Sequence, residues 1–532
     1  MDQFDYIIVG AGSSGCVLAA RLTEDPGTKV LVIEAGGSEK RPILEMPLAW
    51  FRAMRLGAVG WGYSSEPEPY ADQRRIPVPR GRVVGGCSSI NGMMYSRGHP
   101  LDYDQWAQMG AKGWGFADVL PYFRKSEANW RGASEDHGAD GPLTVVKHQT
   151  DQTIYPAIIK TAEHMGYRAL GDFHGDSTEG FSAPDFTVHD GRRGSTAKRF
   201  LRPALARGNL KLVDKALTTR IVIEDGRAVG VEYERDGARV SVRAKREVIL
   251  SAGAINSPQI LKLSGIGPAA ELKEHGIDVV HDLPGVGTNL QDHAAARPVL
   301  AASGPITFDH ELRFDRMAKS VIEWWLKGTG PVAGLPVAAQ GFVRTREGLD
   351  RPDIQFLISP VAMDAHVWFP GVSERRGDFF SIACILLAPE SRGTITLRSA
   401  DPHDKAKIQF NLLSTENDRA FFRRAIRFTR KFFAEAPANT LVKAEVEPGP
   451  DVQSDAEIDA YVRSTINTAM HPTSTCPMGT GPEAVLDENL CVRGIDALRV
   501  VDASVMPVII GGNTNAPAIM IAEKAADLIR AG

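Results

Sequence analysis

The sequence predicts an α/β protein. Its core is a Rossmann-like parallel sheet, entered through a strand–helix–strand unit and joined to an α+β unit built on an antiparallel sheet. Three observations carry this. The glycine turn Gly10-Ala11-Gly12-Ser13-Ser14-Gly15 lies between an apolar run and a helical one. A second apolar run follows and stops at Glu34. Apolar strand and helix patterns return near the C-terminus after a long stretch of different character, so the first unit is discontinuous.

Tyr6-Ile7-Ile8-Val9 is wholly apolar, as a strand covered on both faces requires. Cys16 to Leu22 reads as a helix that Pro26-Gly27 ends, and Val30-Leu31-Val32-Ile33 as a second buried strand. Gly10 permits the tight turn, Gly12 lets backbone amides approach a pyrophosphate, and Gly15 lets helix and sheet pack closely. Ser13 and Ser14 open the helix, whose N-terminus offers free N–H groups to phosphate. Glu34, with Ala35 beside it, can accept hydrogen bonds from ribose hydroxyls and repels a 2′-phosphate. A lone glycine turn need have no chemical role. Strand, helix, second strand and acid together point to a dinucleotide, without separating NAD from FAD.

Residues 36–150 are turn-rich and suit an excursion that wraps a ligand. Between 210 and 250, short alternating runs are separated by Asp225-Gly226 and Asp236-Gly237, which are hairpin signals. Glu247 to Gly253 is another buried strand running into a glycine turn. From about 300 to 460 the pattern is α+β, with antiparallel strands expected at Ile354–Ile358 and Thr394–Leu397 and a helix at Ala420–Ala434. A strand at Leu498–Asp502 and a helix at Ala518–Ile529 close the chain. The expected division is 1–150, 190–300 and 465–532 for the dinucleotide unit, and 151–189 and 301–464 for the substrate unit.

The 532 residues allow two or three domains. Net charge is −4 and no basic stripe stands out, so nucleic acid is not an expected partner. No run of about 18 apolar residues predicts a transmembrane helix. Five scattered cysteines suit a reducing compartment rather than a disulfide framework. No basic and apolar leader opens the chain, so a cytoplasmic protein is expected, with peripheral membrane association left open. His-Glu-x-x-His and Cys-x-x-Cys are absent, so no metal is expected. No Gly-x-Ser-x-Gly elbow supports a hydrolase.

Four further segments carry a resemblance. They are Pro79-Arg80-Gly81-Arg82-Val83-Val84-Gly85-Gly86-Cys87-Ser88-Ser89-Ile90-Asn91-Gly92, then Gly253 to Gly267, then His471-Pro472-Thr473-Ser474-Thr475-Cys476-Pro477-Met478-Gly479, and Val500 to Pro507 followed by Gly512 to Lys524. Together with the glycine turn they resemble the glucose–methanol–choline oxidoreductases, from residue 4 to about 529 and weakly between 300 and 460.

That resemblance implies FAD. It places Val84, Gly85, Gly86, Asn91, Gly92 and Met93 against the flavin, Asp502 and Ala503 near the pyrophosphate, and the loop from Asn513 to Pro517 near the ring. Leu217 completes the expected cofactor contacts. Some members hold flavin through a histidine; the matching residue here is Ile90, so non-covalent FAD is expected. His471 matches the family's catalytic histidine, and Asn515 is taken as the second member of the pair. His99, His174, His189 and His293 are read as structural or solvent-exposed, and Ser257, Pro258 and Gln259 as a turn and helix start.

Trp61 and Tyr63 are expected near the pocket entrance. Trp324-Trp325 and Val367-Trp368-Phe369 either wall the pocket or fill the core, and core is favoured. Met470 stands where relatives often carry tyrosine, which argues against a quaternary ammonium substrate in an aromatic cage. The implied reaction is oxidation of a primary, neutral alcohol with an apolar or polyether body to an aldehyde. Electrons go to a quinone or to oxygen, and a dehydrogenase is favoured over an oxidase. A hydroxynitrile lyase or a light-driven decarboxylase on the same scaffold are the lesser alternatives.

Overall fold

The computed structural model describes residues 3–150, 152–175 and 177–531. Residues 1 and 2, and position 151 at an expected domain boundary, lie outside the described residues.

Five strands run parallel in the order Leu210–Val213, Val30–Ile33, Phe4–Val9, Ala238–Leu250, Leu498–Val500. Ile7 pairs with Leu31 on one side and Val248 on the other, and Ile7 and Ile8 are fully buried. The apolar run is thus a central strand covered on both faces. Helix Ser13–Leu22 packs on helix Asn515–Ala531. A buried Glu523 fastens the two through both nitrogens of the Arg21 fork, at 2.7 and 2.8 Å.

The strand Ala238–Leu250 belongs to two patterns at once. Its first half pairs antiparallel with Arg227–Arg235, which pairs with Ala216–Glu224. Its second half enters the parallel sheet. Both hairpins turn through residues with positive φ, Asp225 and Gly226 at 48° and 75°, Asp236 and Gly237 at 51° and 78°. That is the turn whose twist matches two paired strands.

The excursion over residues 36–150 is more ordered than its turn content suggests. It holds the helices Pro100–Gln108 and Phe116–Ser126. Local capping explains both: Pro100 opens the first helix and Asp102 accepts from the His99 amide, while Asp118 accepts from the Gly115 amide in the second.

The second large sheet is antiparallel, in the order Val442–Glu447, Val299–Ala302, Phe379–Leu386, Ile354–Ser359, Ala339–Val343, Gly180–Ser182. Ala294–Ala296 adds to Phe379–Leu386 and to Asn467–Thr468. Helix Glu416–Ala434, four residues longer at its start than the sequence suggested, covers one face with Phe421, Phe422 and Phe432. Thr394–Thr396 pairs with Lys407–Gln409, in a small ribbon.

The two sheets meet around one cavity. Gly10, Glu34, Ser251 and Asp502 each follow a parallel strand at its carboxyl end, and all four line it. That is where open α/β sheets bind ligands.

Candidate active site

The glycine turn is shaped by backbone, not side chains. Gly10 has φ 101°, and a Cβ there would stand 2.5 Å from Ser251 O. A Cβ on Gly15 would stand 1.9 Å from Gly10 O, so this glycine closes the turn against the helix. Gly12 differs. Its φ is −78° and the nearest protein atom to an added Cβ is Ser251 O at 3.7 Å. Gly12 is bare because the cavity in front of it must stay clear.

Gly10, Gly12, Ser13, Ser14, Glu34, Ala35, Leu217, Asp502 and Ala503 line this end of the cavity. Glu34 is buried and accepts from the Ala11 and Gly36 amides at 2.8 and 2.7 Å. Burial pushes its carboxyl up to about 7 against those two bonds. A carboxylate has about four acceptor positions, so capacity remains for ribose hydroxyls. Asp502 accepts from the Gly253 amide at 2.8 Å, the Ser257 hydroxyl at 2.6 Å and the Ser504 amide at 2.8 Å. It ties the last parallel strand to helix Gly253–Leu263. Ser257 and Pro258 are therefore helix residues with a positioning task, and Gln259 reaches the cavity wall. The buried hydroxyls of Thr218 and Ser251 line the cavity and have no partner among the described residues. Bare backbone, a buried acid and orphaned hydroxyls suit a bound dinucleotide such as FAD.

Asn91, Gly92, Met93 and Asn513 also line the cavity. Asn91 is held by Arg193, which donates to its side-chain oxygen at 2.8 Å, and it accepts from the Met93 amide at 3.0 Å. Four expected contacts lie behind the wall instead. Gly15 is packed under Gly10, and Pro517 is buried in the first turn of its helix. Val84 is core, and the Gly85 amide donates to Ala11 O at 2.6 Å, joining this segment to the glycine turn. Gly86 stands where expected: it lines the cavity, and a Cβ on it would stand 2.8 Å from Gly12 Cα.

At the other end stands His471. Its amide donates to Asp292 at 2.8 Å, and Met470 before it has φ 68° and gives its carbonyl to Arg80 at 2.6 Å. Burial first, then the nearby Arg80 charge, holds the His471 pKa well below its ordinary value. The ring is neutral at pH 7.

The structure corrects the partner. Asn513 Nδ2 lies 3.2 Å from His471 Nε2, whereas Asn515 accepts from the Ser13 hydroxyl at 2.7 Å in the glycine turn. The two asparagines are split by a change of backbone: Asn515 is the first residue of helix Asn515–Ala531, and Asn513 lies in the loop before it. Gln355 donates to Asn513 Oδ1 at 3.1 Å, which turns the Asn513 amide nitrogens toward the histidine.

His293 is structural rather than solvent-exposed. It is fully buried, and its Nδ1 lies 2.9 Å from His471 Nδ1. Burial lowers its pKa to about 4, so it too is neutral. With Asn513 donating to Nε2, His471 carries its proton on Nδ1 and donates it to His293. No sequence spacing signalled this, because the contact joins residues 178 apart in the chain.

Trp61 and Tyr63 line the cavity and stack with centroids 5.7 Å apart. The other aromatic candidates do not line it: Trp324 is buried and bonds Gly191 O, and Trp325 and Phe369 are exposed. The remaining substrate walls include Trp50, Met93, Leu335, Leu357, Ala383 and Ile385. One charged residue unmarked by any motif joins them, Arg297.

A family model described as GMC oxidoreductase matches residues 4–295, and its C-terminal counterpart of the same description matches 389–522. The oxygen-dependent choline dehydrogenase of Brucella canis is 44% identical over 529 residues, covering 99% of this chain and 95% of that protein. Pyridoxine 4-oxidase from Mesorbium loti superposes with a TM-score of 0.89 at 29% identity, covering 99% of each chain. A variant of Aspergillus oryzae RIB40 formate oxidase gives 0.93 at 29%, covering 100% of this chain and 98% of the other.

Proposed function

The chain belongs to the GMC oxidoreductase family and is an FAD-dependent oxidoreductase acting on CH–OH groups, and on that premise we propose that it converts a primary alcohol to the aldehyde, with His471 as the base. The observation that carries this reading is the His471–Asn513 pair, 3.2 Å apart on the wall of the cavity that the dinucleotide cradle opens into.

FAD, when bound, supplies the acceptor for the hydride that leaves the carbinol carbon. The residues of this chain do the rest. Neutral His471 takes the hydroxyl proton on Nε2, the lone pair that the Asn513 amide occupies until the hydroxyl displaces it. Asn513, oriented by Gln355, donates to the same oxygen and fixes its position. The resulting imidazolium keeps its Nδ1 proton shared with His293. Arg80 and Asp292 hold the carbonyl and the amide of the single peptide that joins Met470 to His471, which fixes the backbone from which the base projects.

Ile90 has no nucleophilic atom, which supports FAD held without a covalent bond; acid precipitation would then release it from the protein. A quinone-type acceptor is part of the proposal, although the Brucella canis relative is an oxygen-dependent choline dehydrogenase. Peroxide released on aerobic turnover without added acceptor would make the enzyme an oxidase.

Anaerobic mixing with a panel of primary alcohols tests the reading. The flavin absorbance should bleach, and His471→Ala should retain FAD while reduction slows by about 100- to 10,000-fold. A flavin that stays oxidised with every alcohol would overturn the redox assignment in favour of a lyase or decarboxylase. His471→Ala reducing at the wild-type rate would overturn the base.

A further inference from the structure

Arg297 follows directly on the strand Ala294–Ala296. Alternation along an extended chain puts Ala295 and Arg297 on one face and Ala294 and Ala296 on the other. The pattern is visible in the packing. Ala294 and Ala296 join the core beneath helix Glu416–Ala434. Ala295 clusters with Ala383, Ile385, Leu357 and Ala469, of which all but Ala295 line the cavity, as Arg297 does.

The guanidinium has no counter-charge there. Among the described residues it makes no ion pair and no hydrogen bond. The ionisable group that acts on it is the Cys384 thiol, which burial pushes up to about 12 and so leaves uncharged. Burial lowers the Arg297 pKa itself. Arg80, the other cavity guanidinium, is spent on the carbonyls of Pro79 and Met470. The carboxylates that line the cavity, Glu34 and Asp502, are bound to backbone amides at the dinucleotide end. A desolvated cation without a partner is costly, and a bound anion removes that cost.

We infer that Arg297 is the anion-binding group of the substrate pocket, so that the preferred alcohols carry a carboxylate at the end remote from the carbinol. This rests on the alcohol-oxidising reading of the same site. Arg297 is four residues beyond His293, and at a rise of about 3.3 Å per residue roughly 13 Å separates their backbones. The carboxylate and the carbinol therefore belong at opposite ends of the substrate rather than on adjacent carbons. A guanidinium fork matches a carboxylate in two parallel hydrogen bonds. It opposes a trimethylammonium head, so choline fits this pocket poorly despite the similarity to choline dehydrogenases. The apolar or polyether neutral substrate suggested by the sequence is revised at its far end only.

The test uses the holoenzyme and a matched pair, 4-(hydroxymethyl)benzoate and 4-methylbenzyl alcohol, with choline as the cationic comparison. Flavin reduction rate over dissociation constant should favour the carboxylate by about 10- to 100-fold, the range of one charged hydrogen-bonding pair. Arg297→Gln should erase that ratio, and Arg297→Lys should keep part of it. Calorimetric binding of 4-methylbenzoate, which has no hydroxyl to oxidise, should be seen in wild type and lost in Arg297→Gln; FAD content of each variant reports that it folds. Equal use of the matched pair by wild type, or 4-methylbenzoate bound equally with and without Arg297, overturns the anion site while alcohol oxidation stands. Arginine-dependent 4-methylbenzoate binding with no flavin reduction by any alcohol supports the anion site and overturns the redox reading instead.

Discussion

His293 Nδ1 lies 2.9 Å from His471 Nδ1, with the two rings nearly perpendicular at 86°. Two nitrogens that close must share one proton. Since His471 Nε2 receives the Asn513 amide, the shared proton sits on His471 and His293 accepts it. His293 is thus a positioning residue for the proposed base. It selects the tautomer whose lone pair is on Nε2, the cavity side, where the Asn513 amide donates until a hydroxyl takes its place. It also stabilises the imidazolium, because the hydrogen bond strengthens when the donor becomes charged.

His293→Leu should therefore retain FAD but slow anaerobic flavin reduction by about 10- to 100-fold, and His293→Gln, which keeps an acceptor, should recover most of the rate. The acidic limb of the reduction rate against pH should move lower in His293→Leu, since the imidazolium loses its acceptor. Stopped-flow measurement from pH 5 to 9 checks both. Wild-type rates in His293→Leu would show that His293 only fills space.

Asn513→Ala and Asn515→Ala should separate chemistry from cofactor binding. Asn513→Ala removes the donor beside His471 and should lower the flavin reduction rate by about 10- to 100-fold with FAD content preserved. Asn515→Ala removes the Ser13 contact at the glycine turn and should weaken FAD retention while leaving a larger share of the rate. Titrating FAD into each stripped protein and timing reduction at saturation distinguishes them. The reverse pattern would restore Asn515 as the partner of the base.

Gly12→Val and Gly15→Ala should fail in different ways. A Cβ at Gly12 meets only Ser251 O at 3.7 Å and faces the cavity, so the protein should fold with an unchanged far-ultraviolet circular dichroism spectrum and bind little FAD. A Cβ at Gly15 would be 1.9 Å from Gly10 O, so backbone must move and thermal stability and yield should fall. A yellow, fully loaded Gly12→Val protein would sink the pyrophosphate role.

Stability should also depend on pH through a buried cluster away from the cavity. His137 bonds Glu127 at 2.9 Å and Asp172 at 2.6 Å, and Arg97 bonds Glu127 at 2.6 Å. Burial would lower the His137 pKa, but the two carboxylates outweigh it and lift it to about 9. Burial would raise Glu127, but His137 and Arg97 draw it down to about 2. The histidine's contribution is complete below its ordinary 6.5 and lost as pH rises through about 9. The Glu127 contribution is complete above its ordinary 4.5 and lost as pH falls toward 2. The thermal midpoint of the holoenzyme should thus fall between pH 6.5 and 9.5. His137→Gln should start lower and lose part of that slope. An identical slope in the variant would remove the cluster from the account.

The dinucleotide cradle was legible because its parts are local. Gly10 to Gly15 and Glu34 sit on one strand–turn–helix–strand unit, and hydrogen bonding and sterics within that unit dictate its shape. His471 was legible through its surrounding motif. By itself the sequence determined the fold class, and it named the residues proposed for the FAD end of the cavity and for the base. What only the tertiary structure decided lies where distant strands meet. The Asn467–Thr468 strand pairs with Ala294–Ala296, and that pairing carries His293 to His471 and Arg297 to the far wall. The choice of Asn513 over Asn515 turns on where a helix begins and on Gln355 from another strand. Such contacts leave no periodicity or spacing in the chain, because the partners are joined by the sheet rather than by sequence.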